Sequence, residues 1–168
     1  MRIVIDTETT GFAPGADELL QIAIADFDGN ELLCTYVKPQ QNKEWPEAQA
    51  VNGITPEMVA DAPEVWELKD RVQEIVDGCD EVIGYNASFD LGFFEAAGID
   101  FSGKKITDTM LEFAEAYGEW DERHDDWKWQ KLTTAAAYVG YEGHDAHDAM
   151  GDVLATIAVQ RWLETGRD

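Results

Sequence analysis

Five residues in three short runs have the types and spacing to do chemistry together. Asp6 and Glu8 stand two apart in Ile5-Asp6-Thr7-Glu8-Thr9. If a strand continues through Glu8, both carboxylates leave one face while Thr7 points to the other. Two acids side by side repel unless a proton or a cation lies between them, and hard oxygen ligands favour Mg2+ or Mn2+. Asp90 ends the run Asn86-Ala87-Ser88-Phe89-Asp90 at a strand-to-helix junction. That puts it in the first helical turn, where an acid also suits the dipole. His147 and Asp152 fall at the head of the last helix, in His147-Asp148-Ala149-Met150-Gly151-Asp152. Residues five apart on an ideal helix point roughly 140° apart, so His147 is expected from the preceding loop or first turn and Asp152 from the helix itself. Taken singly, each run has a plainer reading: a solvated strand end, a helix cap, a lone histidine.

The elements that must position these groups follow from periodicity and turn chemistry. Arg2 to Asp6, Leu19 to Phe27 and Glu31 to Val37 read as strands, with Asp28-Gly29 as a hairpin turn between the last two. After a polar connection, Thr55-Pro56-Glu57 caps a short helix, and Asp61-Ala62-Pro63-Glu64 resembles a capping box opening a helix over Val65 to Asp77, stopped by Gly78. Glu81 to Tyr85 is a strand, Ser88 to Ala97 a helix closed by Gly98, Lys105 to Thr107 a strand and Thr109 to Tyr117 a helix. An acidic, aromatic stretch from Gly118 to Trp129 breaks the pattern. Lys131 to Val139 and Asp148 to Glu164 then read as helices, the last with an apolar stripe at Met150, Val153, Leu154, Ile157 and Trp162. An antiparallel meander followed by alternating helices and strands predicts an α/β fold with a mixed sheet flanked by helices, and one domain over residues 1–168.

The charge balance limits how a polyanion could be held. Thirty-five acidic against twelve basic residues give a net charge of −23, the wrong sign for a long phosphate-neutralising footprint on duplex DNA. Adaptation to a salty medium, a substrate gripped only at its end, and cations that screen a carboxylate site all fit this composition. The amino terminus begins directly with a strand pattern and no apolar run approaches a bilayer's thickness, which predicts a cytoplasmic protein with no membrane partner. Cys34 and Cys79 lack metal-ligand spacing and read as free thiols.

The order of the runs, DxE on a first strand, NxxFD at a later junction and HxxxxD at the final helix, resembles the DEDDh (DnaQ-like) group of 3′-to-5′ exonucleases. Polymerase proofreading subunits, RNase T and oligoribonuclease belong to that group. The matching stretches also include Thr9-Thr10-Gly11-Phe12, Asn52-Gly53-Ile54-Thr55 and Asp108-Thr109, and together they span nearly the whole chain. The resemblance implies a ribonuclease H-like fold with a mixed five-stranded sheet. It implies that Asp6, Glu8, Asp90 and Asp152 hold two divalent cations, Mg2+ or Mn2+, with His147 as general base. Nucleoside 5′-monophosphates would be released from single-stranded DNA or RNA 3′ ends, with DNA favoured and short oligoribonucleotides also suited. Phe12 matches a bulky apolar position set against the terminal base, and Thr9, Gly11 and Asn86 match weaker substrate contacts. Asp108 is explained as a helix cap and stays outside the catalytic set.

Two departures stand out: Asn52 where relatives commonly have histidine before Gly-Ile-Thr, and Tyr85 where many have histidine before the asparagine. Neither removes a metal ligand. The segment with Trp120, His124, Trp127 and Trp129 has no counterpart in the resemblance; stacking on substrate bases and packing on its own domain both account for it. The chain ends at Asp168 without a long carboxyl-terminal extension, so a polymerase partner and a free-standing repair or RNA-processing role are equally open, as are monomer and homodimer. A catalytically silent binding module would lack one of the five residues, and all five are present. Asp26-Phe27-Asp28-Gly29 lacks the further ligands of a calcium loop and reads better as a turn.

Overall fold

The computed structural model describes residues 1–143 and 147–166. Alternating apolar residues build β1 (Arg2–Thr9), whose Ile3 and Ile5 face one layer of core and Val4 the other. The strand runs three residues past Asp6, so Asp6 and Glu8 continue the face that begins with Val4. β2 (Leu19–Asp26) is buried along almost its whole length, and β3 (Glu31–Tyr36) lies half-buried at the sheet edge. The hairpin between them forms as expected. Asp26 Oδ1 accepts the backbone N–H groups of Asp28 at 3.0 Å and Asn30 at 2.9 Å, and Gly29 takes φ of 95°.

Helix α1 (Pro46–Asn52) fills the connection that the sequence reads only as polar; its anchor is Trp45, whose indole N–H donates to the Ile54 carbonyl at 2.7 Å. After α2 (Pro56–Val59) comes α3 (Val65–Asp77), with the bounds the sequence predicts but a different cap. Glu64 is the N-cap residue, and its N–H donates to Glu67 at 2.8 Å; the box therefore begins at Glu64 and not at Asp61, because Pro63 holds the chain extended up to that point. β4 (Glu81–Gly84), α4 (Ala87–Ala96), β5 (Lys105–Asp108) and α5 (Thr109–Tyr117) follow. The acidic, aromatic stretch folds into a small hairpin of β6 (Trp120–Asp121) and β7 (Asp126–Trp127), and α6 (Leu132–Tyr138) and α7 (Ala149–Thr165) complete the chain. Residues 144–146, just ahead of the run His147 to Asp152, lie outside the described residues.

The main sheet has the order β3-β2-β1-β4-β5, antiparallel on the side of β2 and β3 and parallel on the side of β4 and β5. It is the mixed five-stranded sheet flanked by helices that the sequence leads one to expect. One face packs Ile3, Ile5, Ile22 and Ile24 against Val72, Val76, Phe93 and Phe94 of α3 and α4. The other packs Val4, Ala23, Ala25 and Ile83 against Ala149, Val153 and Ile157 of α7. Burial of each Ile, Val or Phe side chain contributes about 1.5–3 kcal/mol, so the two layers fix where both faces of β1 point. No helix among the described residues is long and apolar enough to cross a membrane.

Candidate active site

The parallel ladder between β1 and β4 ends at Val4 opposite Ile83, while β1 continues to Thr9. Beyond that point the flank of β1 is open, and α4 enters there. The turn into α4 is tight: Asn86 adopts φ of 65°, a left-handed conformation that asparagine tolerates better than most residues. Asp108 holds that turn, accepting the N–H groups of Asn86 at 3.1 Å and Ala87 at 2.9 Å while also capping α5 through Met110 at 3.0 Å. Asp90 thereby arrives buried beside β1, where the Thr7 hydroxyl donates to its Oδ1 at 2.7 Å.

From the opposite face, α7 supplies the remaining groups. Its N-cap Asp148 accepts the Gly151 N–H at 3.1 Å and the Gln21 amide at 3.2 Å, and Gln21 in turn accepts the Ala149 N–H at 3.3 Å. Gln21 pairs with Glu8 across the β1–β2 ladder, at a register irregularity between Glu8 and Thr9, so this link seats the start of α7 directly beside Glu8. His147 precedes the cap with φ of 70°, entering from the turn as its spacing predicts, and its N–H donates to Asp152 at 3.3 Å. One ligand atom each from Glu8, His147 and Asp152 lies within 4.8 Å of the others.

Crowding of acids dominates the electrostatics. Burial, then repulsion from Asp90, Asp152 and Glu8, holds the Asp6 carboxyl well above the usual carboxylate range. Burial and the nearby Asp152 push Glu8 up to about 8, eased by a hydrogen bond from Asn52. Burial also lifts Asp90 to about 7, against the stabilising hydrogen bond from Thr7. Carboxyls raised by one another and by burial relax when a cation sits among them, and this donor set of oxygens with one imidazole suits a divalent ion.

Two grooves meet at this cluster. One, of about 500 Å³, is lined by Glu8, Gly11, Phe12, Val51, Asn52 and Phe89. Phe12 is 88% exposed there, with its ring edge-on to Phe89 at 6.4 Å, so it is not a core aromatic. Gly11 sits tightly against its neighbour: a Cβ would press on the Asp17 carboxylate, which accepts the Ala13 N–H and braces the loop. Thr9 supports the same loop by donating to the Gly11 carbonyl at 2.6 Å. Asn86 contributes through its backbone at the turn and lines neither groove. The other groove, of about 730 Å³, is lined by His147 and Asp152 together with Tyr85, Met110 and Trp129.

A family of exonucleases, RNase_T, matches residues 3–160. The chain belongs to the DnaQ-like 3′-to-5′ exonuclease family. Its members are phosphodiester hydrolases that generally use divalent metal ions. The chain is 37% identical over 150 residues to an uncharacterised exonuclease of Escherichia phage 186, covering 83% of this chain and 75% of that protein. It is 34% identical over 120 residues to the 3′-5′ exonuclease DinG of Staphylococcus epidermidis, covering 68% of this chain but only 13% of that protein. The fold is ribonuclease H-like. Escherichia coli exonuclease I, crystallised with a dA16 oligonucleotide, superposes with a TM-score of 0.80 at 24% identity, over 98% of this chain and 40% of that one.

Within this exonuclease fold, three supporting residues escape a reading of motifs alone. Thr7 holds Asp90, while Gln21 and the N-cap Asp148 together tie the start of α7 to β2. Gln21 did leave a signal, as the one polar residue inside the apolar run Leu19-Leu20-Gln21-Ile22-Ala23-Ile24.

Proposed function

We propose that the protein cuts single-stranded nucleic acid from its 3′ end, DNA in preference to RNA, releasing nucleoside 5′-monophosphates with the help of two divalent cations, Mg2+ or Mn2+. The observation that carries this reading is the convergence of Asp6, Glu8, Asp90, Asp152 and His147 at one end of the sheet, between two grooves. The four carboxylates would hold the cations. Bound there, two such ions stabilise the attacking and leaving oxygens of an in-line displacement at phosphorus.

The chain's own residues do the rest. His147 is exposed at the cluster and accepts the proton of the attacking water, a task suited to an imidazole at neutral pH. The new bond joins the water oxygen to phosphorus, the bond from phosphorus to the 3′ oxygen breaks, and that leaving oxygen takes a proton from solvent water, so the shortened strand keeps a 3′ hydroxyl. Phe12 stacks on the terminal base without regard to sequence, on a loop set by Thr9 and Gly11, while Asn86 steadies the approach of Asp90. Crystallisation of exonuclease I with a dA16 oligonucleotide supports a single-stranded DNA substrate. Likeness to a DNA polymerase III subunit epsilon-like protein of Rhodobacter capsulatus supports a polymerase as a further partner.

The test is digestion of 5′-labelled single-stranded DNA and RNA oligonucleotides with Mg2+, Mn2+ or EDTA, beside Asp152→Ala. A metal-dependent ladder that shortens from the 3′ end, faster on DNA and absent in the variant, is the expected result. No digestion, or digestion indifferent to EDTA, would overturn it.

A further inference from the structure

The three tryptophans of the hairpin segment have different surroundings. Trp120 and Trp127 pack on each other across the two short strands, with ring centroids 5.1 Å apart and planes at 89°. That contact explains them as the hairpin's own core. Trp129 has no ring partner among the described residues and is 61% exposed. Its backbone is nonetheless fixed on both sides. The Lys128 N–H donates to the Glu119 carbonyl at 2.8 Å, and the Gln130 carbonyl accepts the Tyr85 hydroxyl at 2.7 Å. Trp129 shares a groove with exposed Val51 and with Tyr85, Met110 and Leu132, and a grouped apolar lining, unlike a lone surface ring, marks a binding groove.

Trp129 stands on the wall of the groove that also contains His147 and Asp152. The groove containing Phe12 also contains Glu8, and Val51 borders both. Because Glu8, His147 and Asp152 converge on one point, a phosphodiester placed there sends one nucleotide into each groove. We infer that Trp129 is the stacking platform for the base on the 5′ side of the scissile phosphate, the penultimate base of the strand. This rests on the exonuclease reading above, with the terminal nucleotide against Phe12. The net charge of −23 strengthens the need for such a platform. A strand repelled by the overall field gains little from phosphate neutralisation, whereas stacking is insensitive to that field and to base identity.

Initial rates of single-nucleotide release from 5′-labelled DNA would be compared for wild type, Trp129→Ala and Trp129→Phe. The oligonucleotides carry an abasic residue at the terminal position, at the penultimate position or nowhere. Base stacking on an aromatic side chain is worth about tenfold or more in affinity. Trp129→Ala should therefore raise KM about tenfold on intact DNA with kcat little changed, and Trp129→Phe should restore most of the loss. A penultimate abasic residue should raise the wild-type KM to a similar degree and add nothing in Trp129→Ala, while a terminal abasic residue penalises both proteins alike. A wild-type KM in Trp129→Ala, or an equal penultimate penalty in the two proteins, would overturn the inference. Anisotropy of a 5′-fluorescein oligonucleotide separates it from the activity. If wild type cleaves nothing, the exonuclease reading falls, and the platform then stands on weaker binding by Trp129→Ala that ignores the penultimate abasic change. Binding independent of Trp129 would sink it as well.

Discussion

Asp6, Glu8 and Asp90 are held together at a cost to the metal-free protein that has a definite sign. A carboxyl whose folded pKa lies above its unfolded value destabilises the fold as pH rises between the two. For Glu8 that window runs from the ordinary value of 4.5 to about 8, and for Asp90 from 3.8 to about 7. Glu8→Gln should therefore raise the melting temperature in EDTA by a few degrees at pH 8 and very little at pH 5, since each kcal/mol shifts a protein of this size by roughly 2–4 °C. Thermal melts across pH check this, and a gain that does not vary with pH would refute the assignment. Thr7 offers a second test. A hydrogen bond to a charged group contributes about 1.5–3 kcal/mol, so Thr7→Val should raise the Mg2+ concentration for half-maximal cleavage about tenfold, and unchanged Mg2+ dependence would separate Thr7 from the site. The five candidate residues stood out in sequence because their types and order suit one chemistry, and the fold draws Glu8, His147 and Asp152 into one group. Thr7 was legible only as pointing away from Asp6. That Asp90 waits on that side depends on where β4 stops, which no local pattern encodes.

Elements place these residues through a few polar links. The seat of α7 is the link from buried Gln21 of β2, opposite Glu8, to half-buried Asp148 and the Ala149 N–H. Leaving a buried polar group unsatisfied costs about 1–3 kcal/mol, so Gln21→Ala should lower the melting temperature by several degrees. It should also cut kcat more than KM, because Asp152 and His147 lose their register with β1 while the Phe12 groove keeps its walls. Steady-state kinetics beside a melt decide it: loss of stability with wild-type kcat would make Gln21 a core residue only. Most element bounds were readable from caps and glycines, as for Thr109–Tyr117 ahead of Gly118, which takes φ of 79°. Helix α1 was not, because its residues are mostly exposed and its stability comes from Trp45 reaching the Ile54 carbonyl, a contact outside the helix itself.

At the scale of the whole molecule the charge of −23 sets how substrate arrives. Raising salt from about 0.01 M to about 0.15 M shortens the Debye length from about 30 Å to about 8 Å. Like-charge repulsion between the protein and a nucleic-acid strand fades over that range. The expected outcome is a kcat/KM on single-stranded oligonucleotides that rises severalfold with salt, measured at fixed Mg2+. A fall of tenfold or more would reveal a basic contact path that the charge count conceals. Composition announced this property from the start; only the folded chain distinguishes acids gathered at the cluster from those spread over the surface.

The hairpin that carries Trp129 is attached at two places only a few residues from the main fold: the left-handed Gly118 that ends α5, and Gln130 tied to the Tyr85 hydroxyl. None of the five candidate catalytic residues lies between those attachments. The stretch is thus an exchangeable cassette. If Trp129 holds the strand as proposed, a shortened or aromatic-free stretch here is expected to loosen that hold with metal-dependent cleavage retained.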